Sequence, residues 1–263
     1  MLWIFGALGW MAGVAVNELA DALPGRERIG VPRCRDCGGP RDRYAWSALL
    51  GWLLGHERCR YCGSGRGRRS ALIEAGLAIS FIALASSRPP VETLVDGAVV
   101  TVFTLIAVID LEHKLILHVV SLPAAAVMAA IGILDPSRGA SKTLLGGLVG
   151  AGVVGVMYLG GIVFSRALAR IRGRRLEEVV FGFGDVTLAA LIGLTVGWPG
   201  IILALLLGVF AAGAYALVYL GGSLLRRQYV AFRAIPYGPF LILGALAVYL
   251  GWVTSLAQAG GAG

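Results

Sequence analysis

Charge is scarce in this sequence. Only 14% of its 263 residues are Asp, Glu, Lys or Arg, while 57% are hydrophobic, and an ordinary soluble domain carries roughly 25% charge. That shortage excludes a soluble globular enzyme, and with a mean hydropathy of +0.80 it points to an all-α polytopic membrane protein. No basic residue precedes Arg26, so the charged start of a secretory signal peptide is missing and the first apolar run reads as a retained anchor. There are four cysteines, all between positions 34 and 62, and none in an apolar run. Neither a Cys-His nor a Ser-His nucleophile pair is available within the spans.

What is plentiful is glycine, 39 residues, as suits helices whose backbones approach closely in lipid. The formal charge of +8 first suggests nucleic acid, but its placement argues otherwise. Basic residues concentrate at 24–70, at Lys114, at Arg166 to Arg175 and at Arg226 to Arg233. Counting apolar runs puts all four segments on one side of the membrane, which the positive-inside rule makes the cytoplasm. No nucleic-acid partner is needed to explain them.

The apolar pattern predicts about eight transmembrane helices: Leu2 to Leu19, a second from Ala71 to just before Ser86, then Val91 to Ile109, Val119 to Leu134, Leu144 to Phe164, Asp185 to Val196, Ile201 to Leu220 and Leu241 to Val253. This divides the chain into a first helix (1–23), a cytoplasmic insertion (24–70), a seven-helix membrane core (71–256) and a disordered Gly/Ala tail (257–263). Both ends then lie outside. The first span leaves through the polar residues Asn17, Glu18 and Asp21. Gly146-x-x-x-Gly150 in the fifth has the spacing of a small-residue packing face, although so glycine-rich a helix also yields it by chance. The sixth is short for a crossing of roughly 20 residues.

The insertion carries Cys34-x-x-Cys37 and Cys59-x-x-Cys62, each pair followed by glycine. Two such knuckles set four thiolates at tetrahedral corners, the geometry of a structural zinc site. Two disulfides are the competing assignment and conflict with a cytoplasmic position. Between the knuckles, Trp46, Leu49, Leu50, Trp52, Leu53 and Leu54 are suited to the membrane face. Glu74, just inside the second span, reads as a local cap or headgroup-level residue; the alternatives are a part in the active site or in holding the cysteine-bearing loop.

Two acids sit at the cytoplasmic ends of apolar helices. Asp110 leaves the third span in AVIDLEHKLILH, and Asp185 opens the sixth in FGFGDVTLAA. Ionisable residues at such places are functional candidates by default. Asp185 after Gly182 and Gly184 is first of all an N-cap; Asp110 on the same face supplies a partner. Two nearby carboxylates tend to hold one proton between them, the arrangement in which one activates water and the other polarises a scissile carbonyl. His113 and His118 read as solvated loop residues, since a spacing of five does not share a helical face.

Ile109-Asp110-Leu111 with Gly182-Phe183-Gly184-Asp185, after a double CxxC segment and before Pro236-Tyr237-Gly238-Pro239-Phe240, resembles the type IV prepilin peptidase family of GxGD membrane aspartyl proteases, over most of the chain. The resemblance implies an enzyme of the bacterial inner membrane that removes the basic leader from prepilins or pseudopilins at the cytoplasmic face. It makes Asp110 and Asp185 catalytic, with Gly182, Gly184, Pro236, Tyr237, Gly238, Pro239 and Glu74 shaping the site. Many members also N-methylate the new N-terminus from S-adenosylmethionine, though no cofactor fingerprint stands in the cysteine segment. Two departures are visible. Leu117-His118 replaces the family's Pro-Asp, and Thr187 stands where Lys is common. The alternative from another class is a non-catalytic assembly protein of a pilus or secretion system that docks through its zinc knuckle. A transporter would instead place polar groups near the midplane of broken helices.

Overall fold

The chain is described here by a computed structural model, for residues 1–25, 33–34, 36–40, 46–56, 58–65, 67–172, 182–225 and 236–251. The expected tail and the whole basic segment from Arg226 to Arg233 lie outside these residues. Among those described, every regular element is helical: α1 Leu2–Ala22, α2 Ala48–Leu53, α3 Arg68–Ser87, α4 Pro90–His113, α5 His118–Leu134, α6 Gly139–Arg172, α7 Phe183–Val196, α8 Gly200–Leu225 and α9 Gly238–Tyr249. Five of them, α1, α3, α4, α6 and α8, are long and apolar enough to cross a membrane; α5, α7 and α9 are shorter apolar helices. The total of eight matches the apolar runs, and the chain is a multi-pass membrane protein. It divides into two compact units, Met1–Ile109 and Asp110–Gly263.

In the first unit α1 and α3 pack through a row of glycines on α1. A Cβ at Gly9 would lie 2.9 Å from Phe81 Cβ, and one at Gly13 would lie 2.6 Å from the Glu74 Cα. Gly6, Gly9 and Gly13 fall at helical spacing on one face, so the two backbones close to a distance that any side chain would prevent. Apolar lipid offers no hydrophobic drive for helix pairing, and such close contact supplies the attraction instead.

The second unit is arranged about α7, which touches α5, α6, α8 and α9. Its Leu188, Ala189, Leu191 and Ile192 are wholly buried. With 14 residues it is ~21 Å long, short of a hydrocarbon core of ~30 Å, and neighbouring helices rather than lipid surround it. Gly146 and Gly150 of α6 lie directly on the α7 backbone at Gly193 and Ala189, so the spacing read from the sequence is a packing face. Gly208 of α8 meets Leu241 of α9 in the same way.

Two elements differ from the apolar pattern. Helix α6 starts at Gly139 and continues through Arg166 to Arg172, because Ala, Leu and Arg sustain a helix beyond the apolar run as well as within it. The last helix likewise starts ahead of the expected Leu241. Helix α9 begins at Gly238 with Pro239 in its first turn, a position where the missing N–H would have had no partner.

The α1–α3 contact yields a pair of opposite effects. Gly13→Ala forces backbone apart and should lower stability by on the order of 1–3 kcal/mol. Gly76→Ala, in the middle of α3 with nothing within 4 Å, should raise it by up to about 1 kcal/mol through helix propensity. Thermal unfolding of both variants in one detergent checks the sign.

Candidate functional site

Helix α7 begins where its sequence permits a sharp entry. Gly182 is the extended N-cap, with φ −87° and ψ 158°, and Asp185 stands at the third helical position. The Asp185 Oδ2 accepts from the Gly182 N–H at 2.9 Å, the backward half of a capping box. The N-cap position expected for Asp185 falls on Gly182 instead, and from one turn inside the helix Asp185 serves that cap. Only one carboxylate oxygen is used in it, and the residue is half-buried. Gly184 has a different reason: a Cβ there would lie 2.9 Å from that of Ile116.

Asp110 is buried in the last turn of α4. Its Oδ2 accepts from the Gly238 N–H at 3.1 Å, the first N–H of α9, so a helix N-terminus faces the carboxylate. A Cβ on Gly238 would stand 2.6 Å from this oxygen and 3.4 Å from the Leu188 Cδ2. Leu188 is one turn along α7 from Asp185. Tyr237, the N-cap of α9, has its phenol raised above the ordinary value by burial and then by Asp185. Asp110, Asp185, Gly182, Gly184, Tyr237 and Gly238 thus gather in one unit, with Pro236 and Pro239 bracketing the α9 entry. What holds them is three chain ends: the close of α4 and the starts of α7 and α9.

The link from α4 to α5 explains one departure from the family pattern. Lys114 adopts a left-handed conformation, φ 53°, its N–H bonded to the Asp110 carbonyl at 2.8 Å. This ends α4 and sends Leu115 to Leu117 out without helix. His118 then opens α5 and stacks on Phe183, with ring centroids 5.7 Å apart and planes at 13°. Tyr158 of α6 meets the same ring edge-on at 6.2 Å. Sequence reasoning left His118 in a solvated loop; it is exposed, yet it packs on the residue between the two glycines of GFGD. The stacking joins segments 65 positions apart in the chain, and no local spacing foretells it.

Glu74 belongs to the first unit and is completely buried. Its carboxylate accepts from five donors: the Ser47 Oγ at 2.6 Å, the Ala48 N–H at 2.8 Å, the Leu49 N–H at 3.1 Å, the Asn17 Nδ2 at 3.2 Å and the Trp10 Nε1 at 3.3 Å. The helix it caps is α2, not its own. Of the readings open from the sequence, this is the one in which Glu74 holds the cysteine-bearing insertion. Asn17, a mere polar exit in the sequence pattern, also donates to the Ser70 carbonyl at 3.0 Å. Arg69 reaches Asp21 at 2.8 Å beside it.

The two cysteine knuckles repeat one backbone figure. The Gly38 N–H bonds to the Cys34 carbonyl at 2.8 Å and the Gly63 N–H to the Cys59 carbonyl at 2.9 Å, with φ of 68° and 72° at the glycines. Left-handed torsions there are what glycine supplies. All four Sγ lie within 4.8 Å of one another, Cys34 to Cys62 at 3.6 Å and Cys37 to Cys59 at 3.7 Å. Tetrahedral Zn–S bonds of ~2.3 Å require S···S separations near ~3.8 Å. All four cysteines are free thiols. The Ser64 hydroxyl, with the Cys37 and Asp36 N–H groups, lowers Cys34 to about 6. Cys37 is lowered by the Gly39 N–H, but the neighbouring sulfurs prevail and push it up to about 12. Crowded sulfurs resist carrying four charges by themselves, and a dication relieves that resistance.

Comparisons with known proteins give the family. The model of the type IV leader peptidase family matches residues 97–217, and that of the bacterial Peptidase A24 N-terminal domain matches residues 7–87. The prepilin leader peptidase/N-methyltransferase of Burkholderia pseudomallei strain 1026b is 27% identical over 245 residues, covering 90% of this chain and 74% of that protein. The protein of the same name from Aeromonas hydrophila is 28% identical over 229 residues, 86% of this chain and 72% of its own. No solved structure matches the chain.

The Glu74 junction carries its own test. Glu74→Ala leaves the Ser47 hydroxyl and the Ala48 and Leu49 N–H groups without their acceptor, each costing about 1–3 kcal/mol when it finds no water, while Trp10 and Asn17 keep their bonds to the Ser47 Oγ and the Ser70 carbonyl. Limited proteolysis should then cut within 46–56, where the parent resists. Unchanged cleavage kinetics there would show that α2 is held by something else.

Proposed function

Because the chain belongs to the type IV leader peptidase family, we propose that it is a membrane aspartyl endopeptidase that removes the basic leader of type IV prepilins or pseudopilins. The observation that carries this reading is the Asp110 carboxylate, buried and fixed by the N–H of Gly238, a residue that also packs against Leu188 one turn along α7 from Asp185. The two acids hold one proton between them. The ionised carboxylate takes a proton from water as the oxygen attacks the scissile carbonyl, and the protonated one donates to the carbonyl oxygen. Collapse of the tetrahedral species breaks the C–N bond and returns a proton to the leaving amine. Gly182 and Gly238 N–H groups orient one oxygen of each carboxylate, which leaves the other oxygen of each for water and substrate. Tyr237 and the prolines that flank it shape the rim.

The active site is assigned to the cytoplasmic face, because the basic segments mark that side of the helices that bear the two acids. The four cysteines suit zinc in donor type and separation, and the ion would be structural, tying the two knuckles together. The N-terminal domain match and the relatives' names support a second activity, methylation of the newly exposed amine with S-adenosylmethionine as donor. No described residue is assigned to that cofactor. The partners are then the prepilin and the membrane lipid, with no part for nucleic acid.

Asp110→Asn and Asp185→Asn should each lower cleavage of a prepilin in detergent by several orders of magnitude while leaving thermal stability near that of the parent. Normal cutting by both variants would favour the non-catalytic assembly protein instead. Gly238→Ala, whose Cβ would press on the Asp110 Oδ2, should slow cleavage through kcat more than through KM. Methylation is scored apart, by the mass of the matured N-terminus with and without S-adenosylmethionine, and a gain of one methyl group is expected. Metal analysis should find one zinc per chain, and Cys59→Ser should lose most of it.

A further inference from the structure

We propose that α2 is an interfacial membrane helix: it lies at the headgroup–acyl boundary of one leaflet, with Trp52, Leu53 and Leu54 against lipid and Glu74 as the socket that holds its N-terminus. The insertion that carries α2 leaves the end of α1 and returns at the start of α3, so its level in the membrane can be read from where it touches them. Among the described residues, those at the start of α2 touch them well inside their ends. Ser47, Ala48 and Leu49 bond to Glu74, six residues or ~9 Å inside the start of α3 at 1.5 Å per residue. Ser47 also accepts from the Trp10 Nε1 at 3.2 Å, and the Trp10 and Trp46 rings meet at 5.6 Å. On α1 the level of Glu74 is that of Gly13, nine residues or ~13 Å before Ala22.

Helices α1 and α3 have 21 and 20 residues, close to the length needed for a hydrocarbon core of ~30 Å. A segment seated 9–13 Å inside their ends, on the same rise-per-residue scale of ~1.5 Å, therefore starts within a leaflet and not in bulk water. Its side chains agree. Trp52 is 67% exposed and Leu53 70%, values that would be costly in water for a six-residue helix that ends in these two groups and is followed by an exposed Leu54 at its C-cap. The flanking knuckles expose Arg33, Arg58 and Arg60, and Arg68 opens α3. Exposed basic groups beside an exposed Trp and Leu patch make the composition that an anionic leaflet selects. Glu74 fits the same picture: a carboxylate in an apolar span needs full pairing, and α2 delivers two backbone donors and a hydroxyl to it.

The test uses the full chain in vesicles of phosphatidylcholine and phosphatidylglycerol. Emission of Trp52 is isolated as the difference between the parent and Trp52→Phe, with Trp52→Tyr as a second variant if the first folds poorly. The expected result is a blue-shifted difference spectrum that loses most of its intensity when the acyl chains are brominated near their headgroup end and keeps it in aqueous iodide. Quenching by iodide and not by bromine places Trp52 in water and overturns the proposal. Quenching by neither means that protein, for instance a second copy of the chain, covers the patch, and overturns it as well. Leu53→Glu should release α2, read as new proteolysis within 46–56.

Discussion

A carboxylate carried into an apolar helix is tolerable only if donors meet it, and in this protein most of those donors are the free N–H groups that every helix leaves at its start. Asp185 takes the N–H of its own N-cap, Asp110 that of the first residue of α9, and Glu74 those of two residues at the start of α2. In each case the acid and the helix entry define each other: the carboxylate satisfies a backbone group that lipid cannot, and the backbone group fixes the carboxylate. The difference lies in what is left over. Glu74 has both oxygens occupied and is sealed, as a structural anchor should be. Asp110 and Asp185 each bond through Oδ2 alone among the described contacts, as chemistry at a carboxylate requires.

Glycine is the second constraint, and it works at two scales. Gly13 against Glu74, and Gly146 and Gly150 against α7, bring helix axes together where lipid gives no hydrophobic reward for association. Gly184 and Gly238 act at the level of single atoms. One lets α7 start against Ile116, and the other lets a backbone N–H reach a buried carboxylate that a methyl group would displace. The acids of the second unit are therefore positioned by absences of side chain as much as by bonds.

The insertion shows how a metal-site motif and a membrane helix share work. Its two knuckles are nearly identical in backbone, each closed by a left-handed glycine, and among the described residues the backbone bonds that close each knuckle stay within it. What the helices add is the Glu74 socket, which holds the short α2 between the knuckles. The insertion is thus tied at both its termini and in its middle, and the middle tie is the one that no sequence motif announces.

The sequence by itself determined the class of the fold, because a hydrophobic excess with eight apolar runs leaves few alternatives to a helical membrane protein, and the runs correspond to eight helices. It also determined the four-sulfur cluster, since CxxC-Gly closes through local hydrogen bonds within six residues. The candidate acids were legible for the same reason: charge at the end of an apolar run is costly and stands out. Only the tertiary structure decided who meets them. Asp110 finds Gly238 across 128 positions and Glu74 finds Ala48 across 26; His118 finds Phe183 by stacking, and α7 becomes the enclosed centre of its unit despite a length that suits no full crossing. Local periodicity records which face of a helix is apolar, but pairing across such distances depends on how the backbones approach, and that is settled by packing.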